Sequence, residues 1–200
     1  YCGGSCHAFK RHSGRAAPVT RSIPSIIADL KQLKTYTNKI YICYEVDRDY
    51  IKALFKAMKR DKALVKSLKL NYGAWELLDR EFLHLYRDVF IVDQQDKPIF
   101  EISPEVFEDR SRQAIKGHKT FSIQGLKDNI VLINDCLHRS AKVYIYFSRY
   151  HDTARTYAAV KKEILGVFLL KHELLVGKLE NAKIYYGHLS TDVGSQYWRD

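Results

Sequence analysis

The hydrophobic period of this chain changes at Val89, and that change constrains the fold more than any other feature. From Asp49 onward, Ile51, Leu54, Phe55, Met58, Val65 and Leu68 recur at helical spacing, which stacks them on one side of a helix. The other side carries Lys52, Lys56, Lys59, Arg60, Lys62, Lys66 and Lys69. Gly73 interrupts the pattern, and Trp75, Leu78, Phe82 and Leu85 then resume it. After that the pattern is β-like. Val89–Val92 reads as a short strand, Asp93–Asp96 as a turn and Pro98–Ile102 as the returning strand of a hairpin. A helix from about Pro104 to Lys116 is expected to stop at Gly117, which suits a C-cap.

The flanking segments follow the same rules. A first helix is expected near Pro24 and Ser25, where proline fits the opening turn, with Ile26, Ile27, Leu30 and Leu33 as its apolar stripe. Ile40–Val46 reads equally as a strand or a buried helical turn. Beyond Gly117, strands are expected at His118–Ile123, Asn129–Asp135, Ala141–Tyr150, Glu163–Leu170 and Asn181–Leu189, with a helical segment at His172–Leu179. Hairpin-sized links between them predict antiparallel pairing. The expected fold class is α+β, with N-terminal helices followed by a mainly antiparallel sheet. No internal repeat stands out. Residues 1–22 contain no acidic side chain and read as a flexible basic arm, leaving residues 23–200 as a single domain. Both ends of the chain look cut, as if from a longer protein.

Lys and Arg exceed Asp and Glu by 10 in 200 residues. That balance permits anionic ligands, nucleic acid or acidic lipid as partners without choosing among them. No run of about 18 apolar residues marks a membrane-spanning helix. Four cysteines are too few for a disulfide scaffold at this length. Cys43 and Cys136 are expected as buried free thiols.

No motif announces a reaction, so no catalytic residue is assigned and the chain is not read as an enzyme. Cys2, Cys6, His7 and His12 are residue types that zinc prefers. Their irregular spacing in a glycine-rich arm argues against a metal site, and neither metal nor cofactor is assigned. His172-Glu173 lacks the second histidine of a metalloprotease helix, since Gly177 follows. The lysines Lys56, Lys59, Lys62 and Lys66 are a candidate nucleic-acid or polyanion surface. The solvated side of an amphipathic helix is the preferred reading of that face. Tyr144, Tyr146, Ser148 and Tyr150 alternate along one strand with Val143, Ile145 and Phe147. The tyrosine side suits a polar-lined pocket or a half-exposed sheet face.

Three stretches carry a family resemblance. They are ValPheIleValAspGlnGlnAspLysProIlePhe at Val89–Phe100, AspArgSerArgGlnAlaIleLysGly at Asp109–Gly117, and the leucine-rich pair at Glu163–Leu170 and Glu173–Leu179. This layout, from about Phe55 to Leu189, resembles the Cache family of extracytoplasmic, PAS-like sensor domains. Arg110 and Ser111 stand where the family usually has an aromatic pair, so no amino-acid ligand is implied. The resemblance implies a PAS-like sheet. It also implies a ligand-sensing periplasmic part of an inner-membrane signalling protein, with its membrane anchor and output domain outside this chain and a homodimer as one assembly. A small molecule, anionic if it follows the charge balance, would bind Tyr144, Tyr146 and Ser148. Asn134 would contribute from a neighbouring strand, and Arg112 would be the charge partner.

Overall fold

A computed structural model describes residues 20–43, 47–149 and 156–188. The basic arm up to Pro18 and Val19, with Cys2, Cys6, His7 and His12, lies outside the described residues, as does Tyr150. Helices and strands alternate along the chain. They are α1 (Ile23–Leu33), β1 (Lys39–Ile42), α2 (Arg48–Arg60), β2 (Lys69–Ala74), α3 (Arg80–Val89), β3 (Ile99–Glu105), α4 (Asp109–Lys116), a 3-10 turn (Gly117–Lys119), α5 (Ile123–Cys136), β4 (Lys142–Arg149), α6 (Tyr157–Val176) and β5 (Ala182–His188).

Local chemistry starts most of these helices. Asp47 accepts from the Asp49 and Tyr50 amides at 2.9 and 3.0 Å, and Asp79 accepts from the Phe82 amide at 2.8 Å. Ser122 does the same for Gly125 at 2.9 Å. Each cap satisfies amides that have no partner inside the helix. Gly117 ends α4 at φ 59°, a left-handed conformation that costs glycine little.

The five strands form one sheet in sequence order, β1-β2-β3-β4-β5, and every neighbouring pair is parallel. Each crossover between parallel neighbours must carry the chain back along the sheet. Here helices α2, α3, α4 with α5, and α6 do so in turn. Crossovers of one hand between strands laid down in order place all these helices on the same face. Burial follows. Leu70, Tyr72, Phe100, Ile102, Val143, Ile145 and Phe147 point under the helices and are buried, whereas Asn71, Glu101, Tyr144, Tyr146 and Ser148, one residue out of phase, are partly exposed.

An aromatic cluster fills the centre of the core. Phe55 of α2 lies 5.3 Å from Phe82 of α3 and 4.9 Å from Phe90, and Tyr86 lies 4.8 Å from Phe100 of β3. The Tyr86 hydroxyl donates to the Leu70 carbonyl, which pairs a buried phenol and fastens α3 to β2.

This arrangement corrects the expected fold. Helices and a sheet are both present, but the sheet is all parallel rather than mainly antiparallel and PAS-like. The helix starting at Asp49 ends at Arg60, and the chain turns at Lys66 (φ 55°) into β2. Val89 closes α3 rather than opening a strand, and Pro98–Ile102 leads into a strand beside β2, so the hairpin is not formed. Asn129–Asp135 and Glu163–Leu170 are helical, within α5 and α6, and His118–Ile123 holds the 3-10 turn. The helix end at Gly117 and the strands at Lys142–Arg149 and Ala182–His188 are found where they were expected. Cys136 is buried, but Cys43 is exposed.

Candidate functional site: the uncovered face of the sheet

Side chains one residue out of phase with the core form a broad polar and aromatic face. Tyr41 comes from β1, Glu101, Ser103 and Glu105 from β3, Tyr144, Tyr146 and Ser148 from β4, and Tyr185 from β5. The parallel register sets Tyr144 beside Glu101 and Tyr146 beside Tyr185. The Tyr146 and Tyr185 rings stack with centroids 5.0 Å apart and planes at 15°. Tyr144 meets Tyr185 edge-on at 5.2 Å.

Carboxylates punctuate this aromatic surface. The Tyr41 hydroxyl donates to Glu101 across the strand between them. Partial burial and that hydrogen bond push the Tyr41 phenol well above its usual range. Burial, aided by the Glu101 charge, raises Tyr146 as well. Glu105 accepts from Ser103 Oγ at 2.8 Å and from Ser148 Oγ at 3.3 Å. The β3–β4 register shifts between Ile102 and Glu105, and Glu105 sits at φ 69°. Such bulges re-aim a side chain, and here the result is a carboxylate held against Ser148.

The carboxyl end of the sheet adds a buried amine. Lys116 closes α4, is 5% exposed, and donates through Nζ to the Ser103 carbonyl at 2.8 Å. Its ammonium lies 3.6 Å from the centre of the Trp75 ring, a cation–π contact. Burial pulls its pKa down to about 8, against the opposing pull of Glu105. Carboxyl ends of parallel strands are where ligands of open α/β sheets gather. Nearby, a side chain on Gly73 would meet the Cys43 carbonyl oxygen at 2.6 Å, so the backbone leaving β1 approaches β2 closely there.

Of the five candidate ligand residues, Tyr144, Tyr146 and Ser148 come together on this face. Arg112 does not join them. Its side chain is wholly buried and donates to the carbonyls of Phe121 (2.6 Å), Val106 (2.8 Å) and Phe107 (3.0 Å) and to Asp109. It ties α4 to its flanking loops. Asn134 lies on α5, not on a strand, and exchanges amide hydrogen bonds with Asn181 at 2.6 and 3.2 Å. Both are on the helix side of the sheet.

Sequence reasoning missed Tyr41, Glu101, Glu105, Lys116 and Tyr185. The run Lys183, Tyr185, Gly187 has the same alternation as β4 and was the available signal for Tyr185. Nothing local links Glu101 to Tyr41, because a parallel register joins them across β2.

The lysine candidates are largely engaged with the protein itself. Lys56 pairs with Glu81 at 2.8 Å and Lys59 with Asp88 at 2.7 Å. Lys66 donates to the Arg87 and Phe90 carbonyls. Lys62 has no ion-pair partner among the described residues. Among those residues, no group of three or more His, Cys, Asp or Glu side chains is placed to hold a metal, and no helix is long and apolar enough to cross a membrane. In comparisons with known proteins, no family model, curated protein or solved structure matches this chain.

Proposed function

We propose that the chain is a binding module whose working surface is the uncovered tyrosine face of the sheet, and that its partner is a polypeptide. The observation that carries this reading is the stack of Tyr146 on Tyr185 with Tyr144 against its edge, on a face opposite the helices. Tyrosine supplies large, stiff contact area at low entropic cost and offers a hydroxyl to the partner's backbone. It is enriched at protein interfaces. A small ligand is usually enclosed by a concave pocket, whereas this surface is a broad strand face that suits an extended chain. Glu101 and Glu105 favour basic or hydroxyl side chains in the bound segment. The PAS-like sheet that the sensor resemblance implied is not the fold found, since every strand pair is parallel.

Selection of a displayed peptide library on the full chain tests the proposal. Enriched peptides should lose at least about tenfold in affinity on Tyr146→Ala or Tyr185→Ala, as central aromatic contacts do. They should weaken less on Glu101→Gln. Failure to enrich any peptide, or enrichment of peptides indifferent to both tyrosines, contradicts it.

A further inference from the structure

Helix α6 is apolar on two sides. Toward the core it buries Val167, Leu170 and Leu174. Away from the core, Val176 is 69% exposed and Phe168 63%, and Ile164, Leu165, Leu169 and Leu175 are exposed too. The outward sides of α2 and α3 are built differently, since Lys56 and Lys59 of one pair with Glu81 and Asp88 of the other. An exposed apolar patch of this extent marks a contact with something else. The fold holds it outward. Gly166 packs against the Phe107 ring, Glu163 accepts from the Phe107 and Glu108 amides, and Glu173 pairs with Lys127 of α5 at 2.8 Å.

The outer residues of α6 are ordered around its axis. At about 100° per residue, Tyr157, Ile164, Phe168 and Leu175 form one row, and Leu165, Leu169 and Val176 form a second. Together they cover an arc on the order of 140°. Exposed lysines stand just outside its two edges, Lys171 beside the first row and Lys162 beside the second. Lys161 and His172 lie within the arc and are exposed. The acidic residues of α6 are both withdrawn, because Glu163 is buried and Glu173 is tied to Lys127. The patch continues into a hollow of about 540 Å³ between α5 and α6, where Val131, Leu174, Val176 and Leu179 meet.

We propose that the outer face of α6 docks on the surface of an anionic lipid bilayer. The face is a convex apolar ridge edged by cations, on a chain whose net charge is +10. A helix of that kind lies in the plane of the interface, with its apolar residues below the headgroups. Lys162 and Lys171 then reach sideways to lipid phosphates on their long stems, and the negative surface potential attracts the chain as a whole. Tyr157, 85% exposed, puts an amphipathic ring at headgroup level. The tyrosine face of the sheet is on the side away from the helices, so the docked molecule still presents it to a polypeptide. Docking does not rest on what that face binds.

Co-sedimentation of the full chain with vesicles tests this. The chain should bind vesicles of mixed phosphatidylserine and phosphatidylcholine at least about tenfold more tightly than pure phosphatidylcholine, and added salt should weaken that binding. Phe168→Ser and Leu169→Ser leave the net charge unchanged. Each should weaken binding at least about fivefold, by removing a large apolar side chain from the interface. Lys171→Ser should also cost about fivefold, through one lost contact with the anionic surface. All three positions are exposed, so the melting temperature should be unchanged. Absent binding, equal binding to both vesicle types, or anionic-vesicle binding indifferent to Phe168→Ser and Leu169→Ser overturns the proposal. Self-association that Phe168→Ser abolishes, without vesicle binding, overturns it too and assigns the patch to a second copy of the chain.

Discussion

Lys116 and Arg112 are two cations taken out of water, with opposite consequences. Arg112 spends its guanidinium donors on three backbone carbonyls and Asp109, which is how a buried charge is tolerated. Arg112→Ala leaves those carbonyls without their donor and should cost on the order of 3 kcal/mol. Arg112→Lys should not restore it, because an ammonium cannot reproduce the fork. Chemical denaturation of both variants checks this. Lys116 has one hydrogen bond and two aromatic rings, Trp75 and Phe121, so burial disfavours its charged form and its pKa falls to about 8 from the ordinary 10.5. The unfolded chain then binds more protons than the folded one between those two values, and stability from this group rises as pH climbs through that window. The stability of the wild type minus that of Lys116→Met should increase by roughly 2–3 kcal/mol between pH 8 and 10.5. Parallel curves would show that the amine is not desolvated.

Elements were legible where one face is buried and the other is not. β4 alternates Val143, Ile145 and Phe147 with Tyr144, Tyr146 and Ser148, and the pattern alone places it. α6 was misread because Ile164–Leu170 is apolar on both sides, and a helix without a polar face has no helical period to detect. α5 failed for a related reason, since Ile130–Ile133 is a short apolar run that suits strand or helix. Losing those two crossover helices left only hairpin-sized links, and antiparallel pairing then followed wrongly. β2 was hidden inside an extended helical reading because Val65 and Leu68 kept the helical phase, although the helix ends at Arg60 and the chain turns at the left-handed Lys66. The seating of α6 now makes its own prediction. A methyl group on Gly166 would overlap the Phe107 ring, so one of them must shift. Gly166→Ala should destabilise by about 1–3 kcal/mol through overpacking, although alanine is the better helix former. Combined with Phe107→Ala, the Gly166→Ala step should lose most of that cost in a double-mutant cycle.

Among the described residues, consecutive parallel strands with their helices on one side leave a sheet with one face covered by helices and one that no helix covers. Parallel sheets are usually buried on both faces, so the uncovered one is the surface to explain. The sequence placed Tyr144, Tyr146 and Ser148 there by alternation. It could not place Tyr41, Glu101 or Tyr185 with them, because only the strand order brings those three together. It did not reveal that Arg112 and Asn134 work on the other side. Hydroxyl-radical footprinting of the full chain, with and without a selected peptide, tests the account most directly. Protection centred on Tyr144, Tyr146 and Tyr185, with the Lys56–Lys66 surface unchanged, is the predicted result. Protection of the lysine surface with those tyrosines equally labelled in both states would contradict it.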